Sequence, residues 1–188
     1  MVLRVLLLNG PPRSGKDTLS RILTMRPSFT RVIEEKFAAP IKQHFADTWG
    51  VSLDWIEANK DNIFMYGVTV RQMLIAYSEL YMKPLFGAGI FGKMMVNRLK
   101  EIEEEYCETS VVVISDSGFA AEAGEVIEAG HEVHLIRLHR SGFDFKGDSR
   151  GYLSKEDLQG IRNVHDIFAD DLDALRQQAD VIYGTYIQ

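Results

Sequence analysis

Cysteine is nearly missing from this chain: of 188 residues only Cys107 carries a thiol. No intramolecular disulfide framework and no thiolate metal site can be built from it, and the residue reads as a thiol beside the start of a strand. An excess of positive charge is missing too. Lys and Arg number 21 against 27 Asp and Glu, a net charge of −6. That balance disfavours a broad, nonspecific nucleic-acid surface but leaves room for a small basic groove. Long apolar runs are absent as well. The N-terminal run is short and breaks at once into a glycine-rich turn, so it reads as neither a signal peptide nor a membrane span. The expectation is a cytoplasmic protein without a membrane partner. With no repeat, linker or low-complexity stretch, and 46 % hydrophobic residues, the chain fits one α/β domain over 1–188.

What is present is concentrated near the N-terminus. Val2-Leu3-Arg4-Val5-Leu6-Leu7-Leu8 is the almost continuous apolar run of a buried parallel strand. Leu19, Ile22 and Leu23 follow at helical spacing. Between them stands Gly10-Pro11-Pro12-Arg13-Ser14-Gly15-Lys16-Asp17, a Gly-x-x-x-x-Gly-Lys pattern on a strand-to-helix turn. That is the context in which the pattern reads as a phosphate-binding loop. Gly10 and Gly15 let successive N–H groups point into one concavity, and the helix N-terminus adds partial positive charge. Lys16 can reach outer phosphates. The pattern next asks for Ser or Thr as a magnesium ligand; this chain has Asp17, with Thr18 one residue late.

Further along, strands and helices alternate. Helices are expected over about 15–25, 38–49, 53–62, 69–83, 91–106, 122–128 and 170–178, with a polar helical patch over 155–160. Thr69 is the expected N-cap of the fourth of these segments and Pro40 sits in a first turn. Ile41, Phe45 and Trp49 form a core stripe. Strands are expected over 30–37, 111–114, 131–138 and 179–183. The polar, glycine-rich stretch 140–151 has no apolar period and reads as a short lid. Alternation of this kind predicts a doubly wound, five-stranded parallel sheet with helices on both faces, its ligands at the strand C-termini. Asp116, ending the Val111-Val112-Val113-Ile114 strand, falls there with the phosphate loop.

Phe37-Ala38-Ala39-Pro40-Ile41-Lys42, Val70-Arg71-Gln72-Met73-Leu74 and Val113-Ile114-Ser115-Asp116 follow Arg13-Ser14-Gly15-Lys16-Asp17 in that order. Together they resemble the bacteriophage deoxynucleoside monophosphate kinases of the thymidylate/adenylate kinase-like group. The resemblance covers nearly the whole chain and includes Asp17. It implies a P-loop kinase fold, ATP with Mg2+ as donor, a deoxynucleotide acceptor and, for a phage protein, the host cytoplasm. It also implies that Arg71 and Lys42 contact the acceptor and that Asp116 holds magnesium or its water, with Asp17 the second metal candidate. The oligomeric state stays open, a homodimer included.

One departure matters. The family follows its strand aspartate two residues later with an arginine, whereas this chain reads Asp116-Ser117-Gly118. Relatives in phages that hypermodify thymidine phosphorylate the hydroxymethyl group of 5-hydroxymethyluracil within DNA, an acceptor that needs room more than a monophosphate clamp. Phosphoryl transfer needs cations on the equatorial oxygens; Arg13, Arg137, Arg140 and Arg150 are the candidates, with Arg140 and Arg150 flanking the lid. A nucleotide-binding regulator or bare NTPase explains the phosphate loop equally well. It leaves Arg71, Lys42 and a lid without a task.

Overall fold

The structure, a computed structural model, describes residues 2–106 and 110–188. Cys107, expected beside a strand start, lies outside the described residues. The first strand, β1 (Arg4–Asn9), is central: Val5, Leu6, Leu7 and Leu8 are all fully buried. It pairs in parallel with β5 (Ser110–Ser117) on one side and β6 (Glu132–His139) on the other. Outside these lie β2 (Arg31–Glu35), against β5, and β7 (Asn163–Phe168), against β6. The sheet order is therefore β2-β5-β1-β6-β7, all parallel.

Alternate side chains along these strands feed two cores. Leu6, Leu8, Val111, Val113, Ile136 and Leu138 pack under α1 (Lys16–Met25) and α8 (Leu172–Tyr186). Val5, Leu7, Val112, Ile114, Val133 and Leu135 pack under α6 (Ile90–Glu105) and α7 (Ala120–Glu128). A side chain of this kind contributes about 1.5–3 kcal/mol when fully buried, so the two layers carry the fold. Gly92 of α6 lets α7 come close; a Cβ there would stand 2.4 Å from the Glu122 carbonyl oxygen. The expected doubly wound, five-stranded sheet is what forms.

Between β2 and α6 the chain makes an excursion with its own small core of Phe45, Ala46, Ile56 and Val70. It comprises α2 (Ala39–Trp49), α3 (Leu53–Asn59), the hairpin β3 (Ile63–Met65) and β4 (Val68–Thr69), and α4 (Val70–Ala76). Tyr66 and Gly67 make the hairpin turn, both at positive φ (50° and 80°), the twist a two-residue turn requires. Thr69 caps α4 as expected, within a full capping box with Gln72. The helix does not stop at Pro84. A π-helical segment, Tyr77–Met82, passes into α5 (Lys83–Phe86), with Pro84 in its first turn. The wider π turn accommodates a proline ring that has no N–H to give. Trp49 was expected in the core stripe with Ile41 and Phe45, but it stands half-exposed at the rim, against Phe64.

Two sequence-based assignments are corrected. The last strand is 163–168, and residues 179–183 belong to α8, where Leu175, Ala179, Ile182, Tyr183 and Tyr186 recur at helical spacing on its buried face. The 155–160 patch forms turns and no helix.

Candidate active site

The phosphate-loop residues close into a nest at the C-terminal end of β1. Ser14 N–H donates to Pro11 O (3.2 Å), and both Arg13 (φ 63°) and Gly15 (φ 103°) take left-handed backbone. Gly10 is required by space: a Cβ would meet Leu138 O at 2.7 Å. Lys16 is buried and folds back over the loop, donating to the Gly10 and Pro11 carbonyls at 2.7 Å each. Burial, and then the charge of Arg150, bring its ammonium down to about 8, against the pull of Asp17, Asp148 and Asp116. Pro12 is exposed on the loop. Thr18 is exposed on α1, and its hydroxyl makes no hydrogen bond among the described residues.

Asp17 opens α1 and its Oδ1 accepts from Lys36 Nζ (2.6 Å) and, at 3.4 Å, from Ser115 Oγ. Burial pushes this carboxyl up, but the Lys36 hydrogen bond and charge outweigh it and hold it below the ordinary range. Lys36 lies 3.7 Å from Glu34 as well. Asp116 accepts backbone N–H groups from Phe37 (2.8 Å) and Ala38 (3.0 Å) at the start of α2, one on each oxygen. The expected metal role therefore falls unevenly. Asp116 is engaged in fixing α2, whereas Asp17 Oδ2 carries no hydrogen bond among the described residues. Among the described residues no group of three or more His, Cys, Asp or Glu could enclose a metal. Magnesium, however, is ordinarily held by one or two carboxylates with substrate phosphates and water, and Asp17 at the loop mouth fits that role.

The lid stretch joins this nest through Asn9, which sequence reasoning missed. Its buried side-chain amide donates to Ser117 O (3.1 Å) and Gly151 O (3.0 Å) and accepts from Leu153 N–H (3.0 Å). Arg150, next to Gly151, is thereby laid across Gly118: a Cβ on Gly118 would stand 2.5 Å from Arg150 Cδ. The guanidinium pairs with Asp148 (2.9 and 2.6 Å), and its charge acts on Lys16, Asp116, Glu122 and Arg71. Its stem fills the space that a side chain at 118 would occupy. Arg140 donates to Arg13 O (3.1 Å) and stacks over Phe143 (4.7 Å). Arg137 is not part of the site; it clamps Asp166 of β7 (2.8 and 2.6 Å). Beside Arg140, the rings of Tyr152, His139 and Phe168 stack with 4.6 Å between successive centroids, and Phe168 is open to solvent.

Opposite the nest, Lys42 of α2 pairs with Glu57 (2.6 Å), which also holds Lys60. Arg71 of α4 clasps Asp61 (2.7 and 3.4 Å). Deeper in, Lys83 sits 3.7 Å over the Phe119 ring, between Glu79 (2.7 Å) and Glu122 (3.8 Å). Glu122 is buried, and burial, with the nearby Asp116 and Glu79, raises it to about 7 despite Lys83. Lys36, Lys83 and Glu122 were also missed. The place of Lys36, directly after a strand at the ligand-binding end of the sheet, was the available signal.

No protein-family model and no curated protein matches the chain. Among solved structures it is similar to the tunicamycin resistance protein of Deinococcus radiodurans (13 % identity, 97 % of this chain and 94 % of that one, TM-score 0.48). It is also similar to thymidylate kinase from Candida albicans (13 %, 98 % and 92 %, 0.46) and shikimate kinase from Acinetobacter baumannii (13 %, 96 % and 90 %, 0.40). Likeness at this level concerns the path of the chain and says nothing of substrate.

Proposed function

We propose that the protein is a P-loop kinase that transfers the γ-phosphoryl group of ATP to a deoxynucleotide acceptor. The observation that carries this reading is the position of Arg150, held between the nest with Lys16 on one side and the α2–α4 excursion with Arg71 on the other. A bare NTPase needs the first of these and has no use for the second.

In this reading the loop amides and Lys16 bind the donor phosphates, Lys16 exchanging two carbonyls for phosphate oxygens. The open face of Phe168 offers a stacking surface for the donor base, an interaction worth about 1–3 kcal/mol where measured on aromatic platforms. Asp17, together with the phosphates, would hold Mg2+, which would supply charge neutralisation there. Arg150 covers the charge of the phosphoryl group in flight, and the stretch 140–151, tied down by Asn9, excludes water.

Two acceptors share this frame: a free deoxynucleoside monophosphate, or the hydroxymethyl group of 5-hydroxymethyluracil within DNA. Gly118 favours the second, because the stem of Arg150 lies where a monophosphate clamp at 118 would begin, and the Arg150 guanidinium is already paired with Asp148. The reading is tested with γ-labelled ATP. Label must move to an acceptor, and Lys16→Ala must lower that transfer at least about 10³-fold while circular dichroism stays unchanged. Normal transfer by this variant would overturn the mechanism, and ADP release indifferent to any acceptor would overturn the kinase reading.

A further inference from the structure

Three carboxylates and one ammonium crowd the mouth of the phosphate loop, and Lys36, Glu34 and Ser115 have no task in the transfer described above. Lys36 Nζ lies 2.6 Å from Asp17 Oδ1 and 3.7 Å from Glu34 Oε1, and the negative charge of Asp116 acts on it as well. Ser115, buried in β5, places its Oγ 3.0 Å from Glu34 Oε1 and 3.4 Å from Asp17 Oδ1, near enough to donate to either. The backbone around Lys36 is pinned. Ala39 N–H donates to its carbonyl (3.1 Å), and the next two N–H groups are held by Asp116 (2.8 and 3.0 Å). Lys36 can therefore change partner only by turning its side chain, between two carboxylates that one hydroxyl bridges.

Asp17 is also the loop-mouth carboxylate suited to a divalent cation. Its side chain is 73 % exposed and that of Lys36 29 %, and an ion pair so open to water is weak enough to be exchanged. An ammonium hydrogen-bonded to one carboxylate oxygen repels a divalent cation approaching the other. Donor phosphates change that balance, because they share the cation with Asp17 and bring negative charge to it. Resting on the kinase reading, we propose that Lys36 is a positioning residue for the donor's cation, its ammonium and Mg2+ being alternative partners of Asp17. While Lys36 holds Asp17, a free divalent cation is turned away. When the donor phosphates present the cation, Lys36 gives up Asp17 and keeps Glu34, which Ser115 holds in place. The cation enters with the donor rather than before it. Asp17 and Lys36 thus act as one unit, which gives a reason for Asp at the loop position where the pattern asks for Ser or Thr.

The experiment titrates Mn2+ into the full chain, with and without a non-hydrolysable ATP analogue, and reads free Mn2+ by its paramagnetic resonance signal. Without the analogue, Lys36→Met should bind Mn2+ at least about 5-fold more tightly than wild type. Lys36→Arg, which keeps the charge, should match wild type. With the analogue present, wild type and Lys36→Met should draw together, since Lys36 no longer holds Asp17. Adding Asp17→Asn to Lys36→Met should abolish the gain. Circular dichroism checks the fold of each variant, and Lys36→Gln serves in place of a Met variant that fails to fold. Lys60→Met is the comparison, because Lys60 also acts on Asp17 through its charge but is held by Glu57. No gain in Lys36→Met, a gain that survives Asp17→Asn, or one matched by Lys60→Met would overturn the proposal. A gain of equal size with and without the analogue would do so too, by making Lys36 a bystander charge. These outcomes leave the kinase reading standing. An analogue that fails to tighten Mn2+ binding in wild type would overturn that reading, and the proposal with it.

Discussion

A carboxylate as deeply placed as Glu122 links pH to stability, and the sign of that link is testable. Its folded value is about 7, against an ordinary 4.5. The stability it contributes is therefore fully present below 4.5 and is lost as pH rises through 7. The full difference is on the order of 3 kcal/mol. Glu122→Gln should remove that slope, so that urea midpoints at pH 5 and pH 8 draw together, the variant being the more stable at pH 8. A wild-type slope retained in the variant would exclude Glu122 as its source. Gly118 offers a second test. Gly118→Ala places a methyl against the stem of Arg150 and should lower transfer roughly 10²-fold, as small misplacements of a catalytic cation do. Arg150→Ala should do the same, and the two losses should not add; additive losses in the double variant would separate the residues. At this scale the turn from β1 into α1, with Gly10, Gly15 and Lys16, was legible because its geometry is local. Glu122, Asn9 and Lys83 were illegible for the opposite reason: their partners lie on distant segments, and only the fold brings them together.

Among the elements, α4 is the one whose start decides where Arg71 stands. Thr69 Oγ1 accepts from Gln72 N–H (3.2 Å), and Gln72 Oε1 accepts from Thr69 N–H (2.9 Å), one residue either side of the turn that carries Arg71. Thr69→Ala should cost about 1 kcal/mol, read as a shift in the urea midpoint, with a larger loss of transfer if the cap also aims Arg71. The Thr69 cap was legible because it acts within four residues; the return bond from Gln72 came only with the structure. The final strand was not. Ala179-Asp180-Val181-Ile182-Tyr183 is a compact apolar run, and such runs suit a buried strand as well as the inner face of a helix. What decides for the helix is Leu175 before it and Tyr186 after it, which extend the 3.6-residue period. Conversely, β7 at the sheet edge mixes polar and apolar residues without a strict period of two and carries Asp166, held by Arg137. No strand was expected over 163–168.

For the whole molecule, the decisive join is between the first strand and the lid stretch, made by one side chain. Asn9 holds Ser117 of β5 on one side and Gly151 and Leu153 on the other, so the nest, the end of β5 and Arg150 share one anchor. The next residue is Gly10, and an Asn-Gly step is the sequence at which asparagine ages fastest, since the following amide nitrogen can attack the side-chain carbonyl and expel ammonia. In the folded chain that carboxamide is fully buried and its three hydrogen bonds keep it from turning onto the backbone. In the unfolded chain nothing protects it. The product, an aspartate or isoaspartate, has no N–H to give to Ser117 or Gly151. The protein thus carries a clock that runs only while it is unfolded. Chains held in urea at pH 8 for increasing times should gain one mass unit at Asn9 and lose refolded transfer activity in step, while native chains stored alongside keep both.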